Sequence, residues 1–340
     1  MAMALFTTAI GGFVMATFPS FLVLQILYAY WGFTTVFLFW GAMIKATRLW
    51  GGGKNQGKAF GFLDGGRGVV AASMGSVGVF IFSIFLKTEI NLASVVEKQE
   101  AFRYVILFSS FTVIIIGALV LYSMENEQKN QVKKNSSINP IKNIKSVLKI
   151  KSVWLMMMII MSAYVGYKLT DIYSLYASEV MLYNQIEAAE IGALQLYLRP
   201  LVCLVIGLLA DKTSSIRWII IGFFIMLIGA LLFASGIITS SMNIIFSLSL
   251  IITAVGTYAI RALYFAVFNE GRIPLELTGT AVGIISIIGY TPDIFATPII
   301  GYLLDTYPGI IGHQYVFTML VIFSILGLFA SVQFSKLNSK

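Results

Sequence analysis

Long apolar runs separated by short polar connections dominate this chain. They fall near residues 20–44, 57–86, 103–123, 152–177, 188–210, 217–238, 243–268, 278–304 and 314–335, with a shorter run at 3–17 that stops before Pro19. A helix needs about 20 apolar residues to cross the hydrocarbon core. The pattern therefore predicts an all-α membrane protein with about ten transmembrane helices. Strands do not fit, because the runs are continuous and far exceed the ~10-residue alternating segments of a membrane barrel. One long polar stretch interrupts the series, MENEQKNQVKKNSSINPIKNIKSVLKIK at 124–151. It reads as a cytoplasmic linker with a short amphipathic helix near 140–150. It divides the chain into an N-terminal bundle of four helices (1–123) and a C-terminal bundle of six (152–340).

Composition agrees with the pattern: 58% of residues are hydrophobic and 11% charged, with a mean hydropathy of +0.89. Soluble domains carry roughly 25% charged residues. The net charge of +8 raises the question of a nucleic-acid partner, and its distribution answers it. With connections numbered alternately, sixteen lysines and arginines lie on one side, including Lys45, Arg48, Lys212, Arg217, Arg272 and the seven lysines between 129 and 151; Lys87, Lys98 and Arg103 lie on the other. Such asymmetry marks the rich side as cytoplasmic and puts the C-terminus there. The charge is topogenic and suited to anionic lipid headgroups, with no basic soluble module to hold nucleic acid. Cys203 and His313 are the only residues of their kinds, which leaves no disulfide framework and no material for a metal site, and no cofactor is expected. The start MAMALFTTAIGGF lacks the basic n-region of a secretory signal. No H-E-x-x-H, G-x-S-x-G or Walker pattern suggests an enzyme.

An internal repeat adds organisation. Gly57-Lys58-Ala59-Phe60-Gly61 and Gly279-Thr280-Ala281-Val282-Gly283 share a G-x-A-x-G spacing at an offset of 222 residues. The same shift lays the span at 243–268 onto the one near 20–44, as two homologous halves would. It sends the spans at 152–177 and 188–210 to positions before Met1. The expectation is therefore a chain lacking two N-terminal helices of an expected twelve, with a natural ten-helix protein as the alternative.

The loop Gly207-Leu208-Leu209-Ala210-Asp211-Lys212-Thr213-Ser214-Ser215-Ile216-Arg217 resembles the G-x-L-A-D-r-x-G-r-k signature of the major facilitator superfamily, though it lacks the later glycine. It joins the second and third helices of the second half, where that family carries the signature. Gly207, Asp211, Lys212 and Arg217 stand at its signature positions. The resemblance implies a two-bundle helical fold in the inner membrane, with a monomer moving a small solute by alternating access, coupled to protons or a counter-anion. A non-transporting remnant or a membrane sensor of the same fold is the alternative. GKAFGFLDGGRG is similar to the branch that handles sugar phosphates, sugar acids and related organic anions. GRGVVAASMGSVGVF lacks the proline of the drug-antiporter pattern. Asp211, at a helix end, can pair with helix N-termini or basic groups across a sliding interface; a plain polar turn is the simpler reading.

Charges within spans are costly and usually face a cavity or a partner. Arg199 lies twelve residues before Asp211, ~18 Å from that loop. Its guanidinium suits a phosphate or carboxylate, or a structural pair with Asp171 or Asp293. Tyr164, Lys168 and Asp171 share one helix face, where Lys168 is either a substrate contact or half of a Lys168–Asp171 gate. Arg261 is a candidate for substrate contact or inner gate. Asp293, after Pro292, is a candidate proton-coupling carboxylate or counter-ion. Asp64 and Arg67, three residues apart, form a candidate structural or gating pair. The spans hold four cations and three carboxylates, leaving one positive charge for an anion.

Overall fold

The computed structural model describes residues 1–86, 93–123 and 140–338. The polar stretch at 124–139 and the connection at 87–92 lie outside the described residues. In chain order the helices are α1 (Ala2–Met15), α2 (Phe21–Gly51), α3 (Gln56–Phe85), α4 (Val95–Ser123), α5 (Pro140–Leu148), α6 (Lys151–Lys168), α7 (Ile172–Glu179) and α8 (Gln185–Lys212). They continue as α9 (Ser215–Ala234), α10 (Asn243–Leu263), α11 (Thr278–Gly289), α12 (Pro292–Thr306) and α13 (Ile310–Asn338). Among the described residues there is no strand, and nine helical segments are long and apolar enough to cross a membrane, with α1 as a shorter apolar helix. Helices satisfy their own backbone hydrogen bonds, as hydrocarbon requires. Each segment lies where an apolar run predicts it, and α5 occupies the amphipathic stretch. The fourth helix begins at Val95, eight residues before the predicted 103.

Three segments depart from continuous α-helix. Residues Phe33–Trp40 within α2 are π-helical. The span Lys151–Glu179 breaks into α6 and α7 at a 3₁₀ turn, Leu169–Asp171. The span Leu275–Thr306 breaks at Tyr290 and Thr291, between α11 and α12, just before Pro292. Proline has no N–H to give and clashes with the preceding turn, so the second break has a sequence cause.

The described chain forms two compact units, Met1–Lys45 with Val70–Ile141, and Ala46–Val69 with Lys142–Lys340. Their boundaries at 45/46 and 69/70 fall inside α2 and α3. In the first unit α1 packs along α4, with Phe13 edge-on to Phe111. In the second unit α9 packs on α10 and α13, and α13 on α6. A ring cluster of Tyr173, Tyr176, Phe233, Phe246 and Phe317 fills its core. Aromatic pairs of this kind add about 0.5–1.5 kcal/mol each beyond area burial.

Candidate functional site

Within the second unit, the first turns of α3 lie against α8 at very short range. A Cβ on Gly57 would come within 2.5 Å of the Gly207 carbonyl oxygen, and one on Gly61 within 2.6 Å of the Cys203 carbonyl oxygen. Only glycine permits this backbone approach, as at small-residue crossings in membranes. The contact lets the Asp211 carboxylate reach the end of α3. It accepts from the Gly57 N–H at 2.6 Å and the Lys58 N–H at 2.8 Å. These are first-turn donors with no intrahelical partner, and the positive end of the helix dipole favours the carboxylate. Asp211 is thus a helix cap rather than a turn residue alone. Lys212 and Arg217 are exposed. The repeat copy differs: Gly279 and Gly283 would meet no heavy atom within 4 Å.

The same crossing carries Asp64 into the unit's interior, where it gathers the span arginines. Arg199 from α8 donates Nη2 to Asp64 Oδ1 at 2.9 Å and Nε to Oδ2 at 3.3 Å. Arg261 from α10 donates Nε to Oδ1 at 3.4 Å, and Arg67 reaches Oδ1 at 3.5 Å. Asp64, Arg199 and Arg261 are 5%, 9% and 7% exposed, so this is a buried cluster rather than a surface network. The Arg261 guanidinium stacks over the Tyr167 ring at 3.5 Å, and Arg199 lies 5.8 Å from the same ring. Tyr167 therefore takes the faces of two cations whose edges Asp64 takes. The Cys203 thiol donates weakly to Asp64 Oδ2 at 3.5 Å.

A second cluster joins the two broken spans. Lys168, the last residue of α6, pairs with Asp293, the second residue of α12, at 2.5 Å. Tyr164 donates its hydroxyl to the other Asp293 oxygen at 3.0 Å. Tyr164 also meets Tyr290 edge to face at 4.8 Å, and the Tyr264 and Tyr290 hydroxyls lie 3.4 Å apart. Through Tyr164, 5.9 Å from the Arg261 guanidinium, this cluster adjoins the first.

Several pairings differ from the sequence alternatives. Arg199 takes Asp64, not Asp171 or Asp293, and Lys168 takes Asp293, not Asp171. Asp171 is exposed in its 3₁₀ turn and, among the described residues, makes no ion pair. Among the described residues, Arg67, Lys168, Arg199 and Arg261 form ion pairs with two carboxylates, Asp64 and Asp293, and Asp171 forms none. Sequence reasoning missed Tyr167, Gln195 and Arg48. Gln195 had a signal, a polar residue one turn before Arg199 in an apolar span. Arg48 is buried at the end of α2, donating to Asn269 Oδ1 (2.7 Å), Thr278 Oγ1 (2.6 Å) and the Ile273 carbonyl (2.6 Å). A cavity of about 210 Å³ lined by Trp50, Gly51, Asn55, Lys58 and Ala59 contains none of these site residues.

Residues 1–296 match the family model described as Major Facilitator Superfamily. Two Escherichia coli K12 proteins are similar. Inner membrane protein YqcE is 27% identical over 311 residues, 90% of this chain and 71% of its own. Inner membrane protein YihN is 26% identical over 345 residues, 99% of this chain and 79% of its own. Among solved structures, the transporter FucP in its outward conformation matches with a TM-score of 0.74 at 12% identity, covering 97% of this chain and 82% of its own. A bacterial homologue of the iron transporter ferroportin matches with a TM-score of 0.63 at 10% identity, covering 98% of this chain and 80% of its own.

Proposed function

This chain belongs to the major facilitator superfamily, and from that premise we propose that it is a secondary transporter for a small organic anion, a sugar phosphate or sugar acid, working by alternating access. The solved neighbours share the fold, but one is a fucose:proton symporter and the other a homologue of an iron transporter. Fold does not choose a cargo, so the cargo is argued from this chain's own side chains.

One observation carries the reading: three buried or half-buried guanidiniums, Arg67, Arg199 and Arg261, converge on the single carboxylate of Asp64. Burying an uncompensated ion costs several kcal/mol even after relaxation. An anionic solute entering beside Asp64 offsets that cost, and Arg199 and Arg261 are the residues assigned to hold it. Guanidinium forks match carboxylate and phosphate oxygens. Lys168, Tyr164 and Asp293 are assigned to coupling and gating, because they tie together the two broken spans where a helix can hinge. Discontinuous helices supply solute and ion sites in many transporters. Proton exchange at Asp293 is the proposed coupling step, with counter-anion exchange as the alternative. Asp64–Arg67 and the Asp211 cap serve the gate, Asp171 stands at its outer edge, and the C-terminus is cytoplasmic.

Uptake by proteoliposomes containing the purified chain tests this, with labelled glucose 6-phosphate, gluconate and fucose under an imposed proton gradient. Uptake of either anion, lost in Arg199→Ala, is the expected result. Accumulation of fucose but neither anion sinks the organic-anion reading. Binding of an anion without flux favours a sensor of the same fold.

A further inference from the structure

We infer that Gln195 is a substrate-contacting residue, and that the amide Nε2 of Gln195 together with Nη1 of Arg261 receives the anionic oxygens of the solute. This deepens the organic-anion reading and rests on it.

The geometry starts from two facing helices. On α8, Gln195 stands four residues before Arg199 and so shares its face, one turn away. On α10, Tyr258 stands three residues before Arg261 and shares that residue's face. The two faces are cross-linked twice. Arg199 and Arg261 meet on Asp64 Oδ1, at 2.9 and 3.4 Å. One turn along, the Tyr258 hydroxyl donates to Gln195 Oε1 at 3.2 Å.

The cross-links leave two donors unused. Gln195 is 4% exposed and Arg261 7% exposed, yet Gln195 Nε2 and Arg261 Nη1 are buried with no hydrogen-bond partner. An orphaned buried donor is costly, and more so on a charged group. Here both orphans stand on the faces that carry the arginine pair, and both donate. The Tyr258 hydroxyl occupies Gln195 Oε1 and so leaves Nε2 as the free end of the amide. Asp64 takes Nε of Arg261 while Nη1 remains unpartnered. Asp64 is therefore a positioning residue that aims the guanidiniums, and the solute completes them. A ligand that meets two donors beside the arginine pair is rich in acceptors and negative, as a phosphate or carboxylate is.

The experiment measures binding of glucose 6-phosphate and gluconate to the purified full chain, by equilibrium binding and by the anion-induced rise in melting temperature. Gln195→Met keeps the side chain's length and removes both amide groups. The expected result is an affinity about tenfold or more lower, from loss of a hydrogen bond to a charged partner, with a lower ligand-free melting temperature because the Tyr258 hydroxyl loses its acceptor. Gln195→Glu replaces the donor by an acceptor of the same shape, and weakens binding at least as much. Tyr258→Phe frees the amide to rotate and weakens binding less, with no further loss when added to Gln195→Met. Unchanged affinity in Gln195→Met or Gln195→Glu, beside a wild type that binds, overturns the inference and leaves the organic-anion reading standing. A wild type that binds neither anion removes both.

Discussion

Asp64 concentrates the chemistry of this protein at the scale of the residue. A carboxylate 5% exposed that holds Arg199 on two atoms and Arg261 on one sets the direction of those two guanidiniums. Removing one partner from a buried ionic group is far more damaging than replacing the whole group, because the other charge stays buried alone. Asp64→Asn is therefore expected to destabilise the chain by about 3–5 kcal/mol, read as a lower melting temperature in detergent. Arg199→Lys keeps the charge but loses the fork. It should retain folding yet weaken anion binding by about tenfold or more, one hydrogen bond to a charged group; full affinity in that variant takes the fork out of the recognition step. Neither arginine announced its partner in the sequence. Arg199 and Asp64 are 135 positions apart, and Asp171 and Asp293 were equally available by spacing alone.

At the scale of the element, the α3–α8 crossing decides whether the site forms. Gly57, Gly61 and Gly207 bring two backbones into contact, and the Asp211 cap then fixes the end of α3. Gly61→Leu forces the helices apart; overpacking of this kind costs about 1–3 kcal/mol. The same shift displaces Asp64, one turn further along α3, so anion affinity should fall together with stability. Asp211→Asn keeps the shape of the cap and removes its charge. A loss of about 0.5–2 kcal/mol is expected, measured by thermal unfolding, with the fold preserved. The offset of 222 residues that revealed the repeat lays Arg48 on Glu270. The two carry opposite charges and both brace helix ends: Arg48 holds Asn269 and Thr278, while Glu270 accepts from the Ser215 and Ile216 N–H groups at the start of α9. The breaks at Leu169–Asp171 and before Pro292 are also element-level features. Only the second had a residue to signal it.

For the whole molecule, the proposed cycle carries a solute and a coupling ion through one bistable structure. The Lys168–Asp293 bridge joins the two interrupted spans, and with Tyr164 it stands beside Arg261. Asp293→Asn removes the titratable group while leaving the arginine pair untouched. Anion exchange should continue in that variant, and proton-driven accumulation should stop, read as anion uptake with and without a pH gradient in vesicles. Accumulation that survives intact assigns coupling elsewhere. The proposed cytoplasmic C-terminus has its own check: a reporter fused after Lys340 should be active only in its cytoplasmic form, as the positive-inside reading of the connections expects.

The sequence alone determined the helices and their number to a close approximation. A 20-residue apolar run has few other fates in a bilayer, so span positions, the amphipathic α5 and the family signature at Gly207–Arg217 were legible without coordinates. It also placed Arg199, Arg261, Lys168, Asp64 and Asp293 inside the spans, where a charge calls for a partner. Only the tertiary structure decided which partner each one has, which helices break or turn π-helical, and why Asp211 matters to α3. Those outcomes depend on close approach between helices far apart in the chain. Periodicity reports which way a side chain faces on its own helix, and is silent about what lies opposite.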